Sequence, residues 1–126
     1  MNVTKLEQVL TAYLAGQIGA VLDREIYRGC FIQEPEGIAV MLNHRIEEAR
    51  PTLYTYAAQV CVRFADRDEA WQTLHKVAEA LPVYGHTADG VEIVSLIPRG
   101  EATVYPDSED GSVIYYGSLN LIIAAR

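Results

Sequence analysis

Cysteine is scarce in this chain, and its scarcity removes several chemistries at once. Cys30 and Cys61 are the only two, and neither has a second Cys at C-x-x-C spacing. Without such a pair there is neither a thiol–disulfide redox motif nor a zinc knuckle. Both sit beside apolar residues and are expected to be buried small hydrophobes. Long apolar runs are missing too. Ile38 to Leu42 and Leu121 to Ala125 are the longest, far too short to cross a bilayer as a helix. Glu7, Gln8 and Gln17 interrupt the apolar stretch a signal peptide needs, and only Lys5 supplies positive charge there. Synthesis in the bacterial or host cytoplasm, with no membrane partner, is the expectation.

Basic residues are few: ten Lys and Arg stand against seventeen Asp and Glu, a formal net charge of −7. They are scattered, with no Lys/Arg stripe interleaved with aromatics. Displacing counterions from phosphate needs such a stripe, so specific or unspecific nucleic-acid binding is not expected. An acidic surface serves solubility, and it also avoids adhesion to a nearby polyanion.

Catalytic grammar is absent as well. His44, His75 and His86 share no metal-ligand spacing with one another or with the cysteines. Gly16-Gln17-Ile18-Gly19 falls inside a helical pattern with no preceding strand, so it is no phosphate cradle. Ser95, Ser112 and Ser118 lack the glycines of a nucleophile elbow. Asp107 to Gly111 looks like a calcium loop only in part. Its Gly is at the fifth position instead of the sixth, and Ser118 stands where the closing Glu belongs. The sequence therefore predicts no enzyme, no metal and no cofactor.

What is present is the grammar of packing. A chain of 126 residues, half of them apolar, is expected to form a single domain over residues 1–126. Thr4 and Glu7 read as a capping box before Leu6, Val9, Leu10, Tyr13, Leu14, Ile18 and Val21, a helix ending near Leu22 or Asp23. Ala12, Ala15, Gly16 and Gly19 line its other side. A short extended piece is expected over Ile26 to Ile32, then a turn at Glu34-Pro35-Glu36-Gly37. Ile38 to about Arg45 reads as a strand. Tyr54, Tyr56, Ala58, Val60, Val62 and Phe64 recur at every second position and mark a second, longer one.

Asp66 and Glu69 read as a capping box for a helix whose stripe is Ala70, Leu74, Val77, Ala78 and Leu81, with Trp71 on its margin and Pro82 ending it. Tyr84 to Ala88 reads as loop and Val91 to Ile97 as a strand. Ala102 to Tyr105 reads as a short extended segment, Pro106 to Ser112 as an exposed turn, and Val113 to Ala124 as the last strand. The expected fold class is α+β: a mainly antiparallel sheet of about four to five strands against two helices, in the order α-β-β-α-β-β.

The order of these elements carries a resemblance. The strand Gln59-Val-Cys-Val-Arg63 enters the helix Ala70-Trp-Gln-Thr-Leu-His-Lys-Val-Ala-Glu-Ala-Leu81. It is followed by Val94-Ser-Leu-Ile-Pro-Arg99, the acidic turn at Asp107 to Gly111, and Tyr115-Tyr116-Gly117-Ser118-Leu119-Asn120-Leu121. Over nearly its whole length the chain resembles the tail-terminator proteins of tailed bacteriophages and prophages, also described as minor capsid or head–tail joining proteins. That resemblance implies a virion structural protein, assembled in the bacterial host cytoplasm. It would form a homo-oligomeric ring, typically of about six subunits, that caps the tail tube, ends its polymerisation and presents the head-joining surface. The implied partners are other copies of the chain, the tail tube protein and a head–neck connector protein. DNA would pass the channel without specific binding, and six copies would bring about −42 formal charges to it.

Two other classes stay open: a head-completion or neck adaptor subunit of the same particle, and a small α+β ligand-binding or regulatory domain. The second would use Tyr54, Tyr56, Tyr115 and Tyr116 as a pocket, since eight Tyr against two Phe favours large contact area with a polar end. For the ring, the candidate subunit or tail interface is the hairpin tip with Arg45, Glu47, Glu48 and Arg50, together with Tyr54 and Tyr56. A loop this polar has little to bury in its own subunit, and paired charges across an interface set orientation.

Overall fold

The first helix, α1, spans Val3–Ile18 and is capped two residues earlier than the sequence suggests. Asn2 is its N-cap, with its side-chain oxygen accepting from the Lys5 backbone N–H at 3.1 Å. The helix stops at Gly19, whose φ of +71° is the left-handed turn that favours glycine. Val21 and Leu22, which continue the apolar period, are therefore outside the helix and exposed. The computed structural model describes residues 1–29, 35–46 and 52–126, with Glu109 described by its backbone alone.

Seven strands and a second helix follow: β1 Ile26–Arg28, β2 Gly37–Ile46, β3 Tyr54–Phe64, α2 Arg67–Glu79, β4 Val83–Ala88, β5 Val91–Pro98, β6 Thr103–Glu109 and β7 Ser112–Ala125. This overturns the expected four or five strands in the order α-β-β-α-β-β. The order is α-β-β-β-α-β-β-β-β, in one mixed sheet. Three local features account for the difference. Tyr84 to Ala88, expected as loop, pairs along β5 as the outermost strand, with exposed Tyr84 and Gly85 breaking its apolar alternation. Pro106 to Glu109, expected as turn, continues β6 against β7. Pro106 is tolerated because β6 is an edge strand, where a missing N–H costs no ladder bond. The turn shrinks to Asp110-Gly111, both at positive φ. Finally, three-residue β1 runs parallel to β2, which makes the sheet mixed.

The strands lie in the order β1-β2-β3-β7-β5-β4. The 14-residue β7 is long enough to take β3 along one side and two partners along the other, β5 near its C-terminal end and β6 near its N-terminal end. Both helices pack on one face. Leu6, Leu10 and Leu14 of α1 and Ala70, Leu74 and Val77 of α2 meet Val40, Val60, Val62, Leu119, Leu121 and Ile123 in a continuous buried core. Asp66 caps α2, accepting from the Asp68 N–H at 2.9 Å. Trp71 is 38% exposed, so Leu74 anchors this helix and Trp71 does not. At Gly117 a side chain of α2 lies close against the sheet. A Cβ there would stand 2.8 Å from Leu74 Cδ1 and 2.9 Å from the Thr103 carbonyl oxygen.

Candidate assembly surface

The β2–β3 pairing delivers the hairpin expected from the sequence, with a register shift between Leu42 and His44. That shift turns His44 toward the face carrying Ala57 and sets Arg45 opposite Tyr56. Arg45 then lies over the Tyr54 ring, its guanidinium carbon 4.9 Å from the centroid, a cation–π contact at the exposed end of the sheet. Three of the six candidate interface residues thus come together: exposed Arg45, half-buried Tyr54 and buried Tyr56. Glu47, Glu48 and Arg50 lie outside the described residues.

The tyrosines do not line one pocket. Tyr54, Tyr56 and Tyr115 share the helix-covered side with Phe64, whereas Tyr116 pairs with Arg63 on the opposite face. There the Arg63 guanidinium sits 5.7 Å from the Tyr116 ring centroid, and Tyr116 stacks on Tyr105 at 6.0 Å with an interplanar angle of 18°. The row crosses β3, β7 and β6 and ends in Tyr105, 53% exposed. Elsewhere this face carries small side chains, Ala39, Ala57, Cys61 and Ala124, flanked by Met41, Gln59, Asn120 and Ile122. Both described helices pack on the other face.

The titratable groups are dispersed. His75 pairs with Glu79 at 2.8 Å along α2, His86 packs its ring 4.6 Å from that of Tyr13, and His44 is on the open face. Burial pushes the Cys61 thiol up to about 11, so it is protonated at neutral pH and a poor nucleophile or ligand. Cys30 lies outside the described residues. Glu69 is held above the usual carboxylate range, first by desolvation, then by the charges of Glu36 and Asp66. Among the described residues, no three His, Cys, Asp or Glu side chains are grouped as a metal-ligand set, and no helix is long and apolar enough to cross a membrane.

Comparison with protein-family profiles and with curated protein sequences gives no match. Comparison of folds does. A chain from the virion of the native gene transfer agent particle matches with a TM-score of 0.55 at 12% identity, covering 98% of this chain and 92% of that one. At so low an identity the likeness is one of fold, and it runs through the whole domain. A second solved chain, which carries no functional name, matches at a TM-score of 0.49 and 15% identity over 95% of this chain and 91% of that one, too loosely to carry an argument.

Proposed function

We propose that this protein is a structural subunit of a phage-like virion, and that it acts as a tail terminator. In this reading, copies close into a ring of about six on the end of the tail tube, stop its growth and present the surface to which the head is joined. The observation that carries the reading is the fold shared, nearly end to end, with a virion chain of a gene transfer agent. The sequence separately resembles the tail terminators in the strand Gln59–Arg63 that enters the helix Ala70–Leu81, although the strand number and order expected with it are corrected by the fold. The partners are then further copies of the chain, the tail tube protein and a connector of the neck, and the work is steric.

Two features support the assembly role. Arg45 and Tyr54 are held against each other at a sheet end where, among the described residues, the Arg is exposed. The sheet face away from the helices is lined with small side chains that let a neighbouring chain approach closely. The acidity fits a ring that DNA traverses, since it lowers adhesion of the polyanion to the wall.

Electron microscopy of tail-tube protein polymerised with and without this chain tests the role. Tubes that stop lengthening and carry a ring at one end are the expected result. Unchanged tube growth with the chain bound instead to a portal or head protein would favour a neck adaptor.

A further inference from the structure

The tip of the β6–β7 hairpin and a hollow on the open sheet face are complementary in charge and lie apart along β7. The last β3–β7 pair is Phe64 with Tyr115, yet the hairpin continues through Asp107 with Ile114, Ser108 with Val113 and Glu109 with Ser112. Its tip thus projects beyond the third strand, and Val113 on it is 54% exposed. From Gly100 to Ala125 there is no basic residue, while Glu101, Asp107, Glu109 and Asp110 are acidic. The arm is of one sign throughout.

The hollow, of about 280 Å³, is lined by Asn43, His44, Ala57, Ala58, Arg99, Asn120 and Leu121. No carboxylate lines it, although each of the other surface hollows described has at least one. In a chain of net charge −7 that is a selective exclusion. The strand bulge at Leu42/His44 swings His44 to this side, and the Arg99 backbone N–H, bonded to the Asn120 carbonyl at 2.7 Å, fixes the Arg beside it. Among the described residues Arg99 has no carboxylate partner.

We propose that the acidic tip of the β6–β7 hairpin of one copy seats in the Asn43–His44–Arg99–Asn120 hollow of the next. A copy cannot fill its own hollow. Asn120 and Ser112 are eight residues apart on β7, about 27 Å at roughly 3.4 Å per strand residue. Because tip and socket are different surfaces of the chain, the contact is heterologous, the kind that closes into a ring or runs on as a filament. Arg99 supplies a planar fork for a carboxylate, and the amides and imidazole supply donors that fix its orientation. This inference rests on the ring reading and names the contact that would close it.

Charge-swapped variants and native mass test it. The tip variant is Asp107→Lys/Glu109→Lys/Asp110→Asn, with Asp110→Asn chosen because φ there is +49° and Asn tolerates it as Asp does. The socket variant is Arg99→Glu. Each alone should keep the wild-type circular dichroism spectrum and fall to the mass of the single 14.0 kDa chain. Mixed together they should regain the assembled mass, because each then meets a socket or tip of opposite sign. Both variants assembling like wild type, or a mixture of folded variants that stays monomeric, overturns the contact while the ring reading stands. A wild-type chain that never self-associates, alone or on tail tubes, overturns both.

Discussion

Glu7 and Leu42 are thirty-five residues apart in sequence, yet the Glu7 carboxylate accepts the Leu42 backbone N–H at 2.8 Å. Its other oxygen takes Arg28 Nη1, also at 2.8 Å. One side chain of α1 therefore ties down β1 and satisfies the N–H at the edge of the β2 bulge. Gly29 stands so close that a Cβ there would lie 2.7 Å from Glu7 Oε1, at a φ of +75°. The sequence pattern assigned Glu7 to a capping box with Thr4. Its actual partners come from elements that sequence spacing does not relate to it.

Glu7→Ala leaves a part-buried N–H without its acceptor, so we expect a loss of about 1–3 kcal/mol in urea denaturation. Arg28→Ala removes only the exposed half of the arrangement and should cost about 0.2–1 kcal/mol. Equal losses would show that the ion pair, and not the N–H at the bulge, is what Glu7 serves.

At Gly117 the contact is one of closeness. Gly117→Ala places a methyl 2.8 Å from Leu74 Cδ1 and 2.9 Å from a backbone oxygen, so the sheet or α2 must shift. Overpacking of this kind costs about 1–3 kcal/mol. Leu74→Ala, by emptying a fully buried site, should cost about 2–5 kcal/mol. The double variant should be more stable than the sum of the two losses implies, because the added methyl enters the space that Leu74 vacates. Trp71→Ala should cost less than Leu74→Ala, since Trp71 is 38% exposed.

β3 and α2 were legible because each satisfies a local rule without interference. Apolar residues stand at every even position from Tyr54 to Phe64, and Asp66 is a strong cap placed at the change of period. The missed strands fail a local rule for a tertiary reason. β4 is an edge strand with exposed Tyr84, so its alternation is weak, and β6 tolerates Pro106 because its outer side is unpaired. The apolar period alone makes α1 too long, because Val21 keeps it, whereas the φ of Gly19 decides the end. Of the candidate interface, the proximity of Arg45, Tyr54 and Tyr56 was legible from hairpin pairing. The socket at Asn43, His44, Arg99 and Asn120 was not, because it depends on a bulge and on two distant strands.

Glu69 offers a pH signature. Its folded-state carboxyl is raised by desolvation and by Glu36 and Asp66, so ionising it works against the fold. The fold binds this proton more tightly than the unfolded chain does. The penalty is therefore absent at low pH, appears as pH rises through the unfolded value of about 4.3, and is complete above the raised folded value. Glu69→Gln should raise the Tm at pH 7, lose that advantage near pH 3, and show a smaller gain in high salt because the site is exposed.

Cys61 should resist modification while the fold is intact. Its thiol is buried and titrates near 11, so maleimide or disulfide reagents should react slowly with this position in the native chain and rapidly in urea. Mass spectrometry of peptides from pulse-labelled protein reads the two rates directly. Equal rates would mean that β3 is open to solvent on the helix-free face.

Native mass measurement of the purified chain across a concentration range, with tail-tube protein added in a second series, tests the ring most directly. The expected result is a closed species at about six times the 14.0 kDa chain mass, alone or on the tube end. A chain that keeps its single-copy mass at every concentration and in the presence of the tube would contradict it.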